Sequence, residues 1–186
     1  MGKVVFIILI VVIILGILGI IYKSKYNKLV NNKIKIDEAK DIVLQCLKEK
    51  KLIILDVASI VRKKIKMEIE NFNQVENIDI SENYNYEDDK KLEDAYKTLK
   101  HLAEDYPKLT KDEKFKEFMN SLEENSEKLT AAKDFSDKYA TVLNNLIRGF
   151  PNNLIGFIHR IKKVEFYNVK RENSDSSVWV FIWQLI

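Results

Sequence analysis

The side chains best suited to chemistry are few and scattered. The two histidines, His101 and His159, stand far apart, and the single cysteine is Cys46. His101 is followed by Glu104 and Asp105, a helical spacing that places an imidazole and a carboxylate on one face and could hold a metal. The same spacing describes a solvated charged face, which is the preferred reading. A di-iron bundle needs Glu-x-x-His, and Thr98 occupies the position three before His101. Asp37, Glu38 and Asp41 also read as a solvated face, with a docking patch for a basic partner as the functional alternative. Phosphate-cradling glycine loops, nucleophile elbows and Cys-x-x-Cys pairs are absent from the sequence. Cys46 sits at an apolar helical position, so a small buried thiol is expected, and one cysteine excludes an internal disulfide. Phe115, Phe118, Phe135 and Tyr139 fall at helical spacing and read as core. The expectation is a protein that is not an enzyme, with no catalytic residues, metal, cofactor or small-molecule substrate.

The elements that must position anything else begin with residues 4–21, an unbroken run of eighteen apolar residues. That length is near the lower limit for crossing a bilayer core of about 30 Å. The run exceeds the 7–15-residue core of a cleaved signal peptide and lacks a small-x-small site after it. A signal anchor over residues 1–22 is therefore expected. Gly16 and Gly19 are a weak signal for helix dimerisation and read as lipid-facing. Lys3 precedes the run, whereas Lys23, Lys25, Lys28, Lys33 and Lys35 follow it. Positive residues stay inside, which predicts a short outer N-terminus and a cytoplasmic bulk in a single-pass protein.

Charged residues make up 32% of the chain, with only five Gly and two Pro. That composition reads as long helices with solvated faces. Residues 1–70 hold 14 basic and 7 acidic side chains, residues 71–150 hold 12 and 18, and residues 151–186 hold 5 and 3. Basic ends and an acidic middle suit a body whose ends meet an anionic leaflet, not a nucleic-acid binder with a basic stripe. Apolar residues spaced by three and four predict one helix through Leu47 and a second from Leu52 to Ile69, with a turn at residues 48–51. Residues 71–90 lose periodicity and read as a long mobile connection. A third helix is expected from about residue 90 to 105, ended by Tyr106-Pro107. Thr110-x-x-Glu113 reads as a capping box for a long fourth helix that stops at Gly149-Phe150-Pro151. The predicted fold is all-α: a transmembrane helix followed by an antiparallel four-helix up-and-down bundle over residues 23–167, with coiled-coil-like packing.

In that topology the fourth helix returns to the membrane. Residues 150–163 mix Leu154, Ile155, Phe157, Ile158 and Ile161 with Arg160, Lys162 and Lys163, as an interfacial segment does. An apolar tail, residues 168–186, ends the chain with Trp179 and Trp183, and Trp favours the headgroup level. The candidate membrane-surface contacts are Phe150, Pro151, Arg160, Lys162, Lys163, Trp179 and Trp183. Phe150-Pro151-Asn152-Asn153 reads either as a helix stop with Asn caps or as a membrane-surface elbow.

Several short pieces occur in a familiar order. Tyr26-Asn27-Lys28-Leu29-Val30 and Ile36-Asp37-Glu38-Ala39 are followed by Tyr106-Pro107-x-Leu109 and Leu129-x-Ala131-Ala132-Lys133. Asn144-x-x-Ile147-x-x-Phe150-Pro151-x-Asn153-Leu154-Ile155 and Glu165-Phe166-Tyr167 close the series. Together they resemble the LemA family. The resemblance implies a single-pass bacterial membrane protein with a cytoplasmic four-helix bundle and implies no particular biochemical activity. The chain departs from the family pattern at Leu52-Ile53-Ile54, where the family carries Leu-Ile-Pro, and at Ser136-Asp137, where it carries Tyr-Asn. The expected function is a scaffold or assembly and interaction module at the cytoplasmic face, with the bilayer and a protein partner or second copy as its contacts. The alternative is a membrane-surface enzyme or a binder of a small ligand or metal with a site between helices.

Overall fold

The computed structural model describes residues 2–66, 70–81 and 86–167. Every regular element among them is helical: α1 (Gly2–Ile65), α2 (Glu70–Glu76), α3 (Tyr86–Asp105), α4 (Pro107–Thr110), α5 (Glu113–Arg148) and α6 (Asn152–Ile158). The all-α class holds. The tail beyond Tyr167 lies outside the described residues.

The turn expected at residues 48–51 is absent, because α1 runs through it. No Gly or Pro stands between Ile20 and Ile65, and Lys and Glu rank among the better helix formers. Residues 48–51 also contain a core position. Val43, Cys46, Leu47, Lys50, Ile54, Val57, Ala58 and Val61 are all buried and follow one helical stripe. The helix ends where Lys66 turns left-handed at φ 52° while its N–H still bonds the Arg62 carbonyl at 3.1 Å. Residues 2–22 of α1 are exposed throughout and are long and apolar enough to cross a membrane.

The chain divides into two compact units. One comprises residues 39–134 with Tyr167, and the other residues 1–38 with 135–166. α1 and α5 supply residues to both.

In the larger unit, the segment after α1 is docked, against the expectation of a mobile connection over residues 71–90. Phe72 and Val75 of α2, then Ile78 and Ile80, are buried in the core. Loss of strict periodicity hid these four anchors. The segment runs back along α1, since Arg62 donates to the Asn73 side chain at 2.6 Å and Lys51 to the Glu76 and Ile78 carbonyls at 2.9 and 2.7 Å. Lys64–Asp112 at 2.6 Å and Asn125–Glu49 at 3.0 Å set α5 antiparallel to α1. The reversal expected near residue 50 therefore comes after Ile65. Leu92, Ala95, Tyr96, Leu99 and Leu102 of α3 and Phe115, Leu122, Leu129 and Ala132 of α5 complete this core.

The start of α5 corrects the expected cap. Thr110 hydrogen-bonds back to the Pro107 carbonyl at 3.1 Å, and Asp112 accepts from the Phe115 N–H at 3.0 Å. Asp112 is thus the N-cap, its oxygen meeting the third helical N–H. The Lys64 ammonium and the Phe115 N–H hold its carboxyl below the usual range.

In the smaller unit, Leu29, Ile36, Ala140, Leu143, Ile155 and Ile161 form the core. The chain after α6 is held to α5 by Asn144. Its amide donates to the Val164 carbonyl at 2.8 Å and accepts from the Val164 N–H at 2.9 Å. Side-chain amides can satisfy both groups of one residue in this way because they carry a donor and an acceptor. Asn144→Ala leaves both groups without that partner and should lower the unfolding free energy by about 2 kcal/mol. Asn144→Asp, which keeps only the acceptor, should fall between the two in urea melts. A loss under about 0.5 kcal/mol for the alanine variant would show that the clamp contributes little.

Candidate functional site

Of the sequence-predicted contact residues, Phe150, Pro151, Arg160, Lys162 and Lys163 follow the end of α5. Gly149 N–H bonds the Leu146 carbonyl at 3.2 Å, and Leu154 and Ile155 N–H both bond the Pro151 carbonyl at 3.2 Å. The chain so redirected forms α6, followed by a tight reversal in which Arg160 is left-handed at φ 54° and Ile161 N–H bonds the Gly156 carbonyl at 2.8 Å. The Asn caps expected here take another form: Pro151 occupies the N-cap, Asn153 bonds the next N–H at 2.8 Å, and Asn152 is buried. Gly156 is pressed against its surroundings, and a Cβ there would stand 3.5 Å from the Ile161 carbonyl oxygen.

α6 is two-faced. Ile155 and Gly156 point into the smaller core with Ile161. Leu154, Phe157 and Ile158, at the i, i+3, i+4 positions of the other face, are exposed, as is Phe150 just before the helix. Phe150 and Phe157 are 84% and 83% exposed, nearly as open as side chains in an unfolded chain. Single exposed apolar residues need no explanation, whereas four close together in sequence at the end of α5 and on α6 form the candidate site. Arg160, Lys162 and Lys163 are exposed on the segment that follows, and Pro151 is half-buried. Trp179 and Trp183 lie outside the described residues.

One contact ties this corner to the end of the apolar run on α1, and sequence reasoning missed it. The Tyr22 hydroxyl lies 2.7 Å from His159 Nε2, and the His159 ring packs against Tyr26 with centroids 4.4 Å apart. Tyr22 and Tyr26 stack in turn at 6.5 Å. The aromatic pair one turn apart was the available signal, but nothing in the sequence named its partner 137 residues away.

The larger unit has a layer of polar ties between helices. Lys50 is almost wholly buried, with its ammonium 2.7 Å from Glu93 and 5.1 Å from the Tyr96 ring centre. Asn125 donates to Glu49, and Lys133 pairs with Asp89. Burial pushes the Glu93 carboxyl up, but the hydrogen bond and charge of Lys50, helped by Lys97, outweigh it, leaving the group below its ordinary range. Burial pushes the Cys46 thiol up, as expected for an inert core cysteine. His101 sits exposed 3.8 Å from Glu104, and no cluster of three metal-ligating side chains occurs among the described residues. Phe135 departs from expectation: it is 43% exposed and contacts Tyr139 rather than filling the core.

Beside this layer a shallow groove of about 470 Å³ opens between α3 and α5, lined by Tyr96, Lys100, Glu123, Ser126, Thr130 and neighbouring residues. A hydrogen bond with Tyr96 raises the Lys100 ammonium above its ordinary value. The Ser126 hydroxyl is buried without a hydrogen-bond partner.

A protein-family model, that of the LemA family, matches residues 39–180. The chain belongs to the LemA family. The LemA match starts at Ala39, so the resembling pieces at residues 26–30 and 36–38 precede it, and it extends past Tyr167 into the apolar tail. No curated protein and no solved structure matches the chain. Within the LemA-matched region, Asn144 of the Asn-x-x-Ile motif is the clamp on Val164, and Phe150 and Leu154 of the same motif are the exposed corner.

Lys50→Ala should cost about 2–4 kcal/mol by removing a buried stem, whereas Lys50→Met, which keeps the volume, should cost less than half of that. The pair also predicts a pH dependence. A carboxyl held low in the folded state contributes stability that is complete above its unfolded value of about 4.3 and is lost as pH falls through the folded value. The deficit of Lys50→Met relative to the parent should therefore shrink as pH falls below about 4.3. Parallel urea-stability profiles over that range would show that Glu93 is not linked to Lys50.

Proposed function

We propose that this LemA-family chain is a membrane-anchored helical-bundle protein that serves as a scaffold or assembly module at the cytoplasmic face, working by contact with protein partners or copies of itself and not by catalysis. The observation that carries the reading is that no linker separates the apolar run from folded structure. Tyr22 closes an exposed apolar stretch, and Leu29, seven residues on in the same helix, is wholly buried in the smaller core. A helix of that composition is stable in lipid, where every backbone group is satisfied internally, and its continuation holds folded protein at the surface. The lysines after the run support a cytoplasmic bulk. Lys50, Asn125 and Lys133 of the larger unit are engaged in ties between helices, which supports a structural use for them.

In-cell crosslinking of the full-length chain, with mass spectrometry of the captured species, tests this. The expected result is a reproducible crosslink from a bundle face to another protein, or between copies near the apolar run. Well-expressed protein that yields neither overturns the scaffold reading. A second reading, a small polar ligand held between helices, draws on the groove at Tyr96 and the unpaired Ser126 hydroxyl. Saturable perturbation of the Tyr96 and Ser126 resonances by a metabolite mixture would favour it.

A further inference from the structure

The smaller unit brings two stretches together whose charge is of one sign. Residues 1–36 and 138–164 carry eleven Lys and Arg side chains and no Asp or Glu, and they make up nearly all of that unit. The unit's four acidic residues, Asp37, Glu38, Asp137 and Glu165, stand at the borders of those stretches, and eleven cations against four anions make the electrostatic pattern of a surface that meets anions. The same unit presents Phe150, Leu154, Phe157 and Ile158 to solvent on one corner. Tyr22 holds that corner, through His159, at the end of the apolar run. Farther along α1, Lys35 donates to the Tyr139 hydroxyl of α5 at 3.1 Å.

We propose that α6 is an interfacial helix docked on an anionic lipid surface beside the anchor. Leu154, Phe157, Ile158 and Phe150 enter the boundary between headgroups and acyl chains. Arg160, Lys162 and Lys163, with Lys23 and Lys25 of α1, meet the lipid phosphates. The helix lies in the plane because seven residues, about 10 Å of rise, are far too short to span. Its buried face, Ile155 and Gly156, stays on the protein while the opposite face is given to lipid, the division expected of an interfacial amphipathic segment. A soluble protein partner would match the basic charge equally well, but it would not account for the position of the apolar corner at the end of an apolar run. The consequence is orientation: a single helix can rotate and tilt freely in a bilayer, and a second contact removes that freedom.

The proposal rests on the membrane-anchor reading, and the test separates the two. Full-length chain carrying Cys46→Ala is spin-labelled at Val11→Cys or at Phe157→Cys and reconstituted into phosphatidylcholine vesicles with or without phosphatidylglycerol. Depth is read from relative accessibility to oxygen and to a water-soluble nickel complex. The expected result is a deep label at 11 and a label at 157 at headgroup depth, shallower without phosphatidylglycerol. Arg160→Glu, Lys162→Glu and Lys163→Glu together should return the 157 label to water while far-UV circular dichroism stays unchanged. A buried label at 11 with a water-exposed label at 157 overturns the interfacial helix and leaves the anchor standing. A label at 11 in water overturns both. Dipolar broadening at 157 without lipid accessibility overturns the proposal in favour of a second copy on this corner.

Discussion

A helix stops only where some residue makes stopping cheaper than continuing, and between Ile20 and Ile65 this chain provides no such residue. The other structural features follow from that constraint. One helix carries the apolar run, the first wall of the smaller core and the first wall of the larger one. The remaining elements dock onto it by apolar stripes of their own, and the reversals are left to Lys66, Pro107 and the elbow at Phe150-Pro151. Ile54 bears on this point. The family pattern that the sequence resembles has proline there, which would remove the N–H of a mid-helix residue and clash with the preceding turn. With isoleucine the position is simply core, wholly buried.

The burial of Lys50 shows how a polar residue can hold a place in such a stripe. A lone buried ammonium would be costly, and here Glu93 and the face of Tyr96 compensate it from a neighbouring helix. Lys133 with Asp89 repeats the device, and Asn125 adds an amide hydrogen bond to Glu49 beside Lys50. Apolar stripes tolerate sliding by a turn, whereas paired charges do not. These ties suit the role of setting which residues face one another.

The smaller unit uses different means. Its core is small, and the segment after α6 is kept in place by Ile161, Val164 and Phe166 packed on that core together with one asparagine amide and one tyrosine–histidine contact. That arrangement leaves the apolar residues of α6 free to face outward. Burying them inward would have enlarged the core and removed the exposed corner. The spacing of Leu154, Phe157 and Ile158 shows them on one face, but only the positions of Ile155 and Ile161 show which face is turned outward.

Much of this protein was legible in the order of its residues. Local rules determined the all-helical class, the apolar run, the end of α3 before Pro107, the extent of α5 and the family, because periodicity and breakers act over a few residues and need no partner. Where the outcome depended on a distant group, sequence was silent or misleading. Residues 48–51 looked like a polar turn because Glu93, which makes Lys50 a core residue, lies 43 positions away. Residues 71–80 looked unstructured because Phe72, Val75, Ile78 and Ile80 are anchored by α1 and α3 rather than by a regular pattern of their own. Thr110 looked like the cap because its spacing to Glu113 was right, yet Asp112 also had Lys64 to pair with. The meeting of Tyr22 with His159 was likewise decided only by tertiary structure. Contacts between remote positions depend on where the helices cross, and that is set by the packing of the whole core rather than by any short stretch of chain.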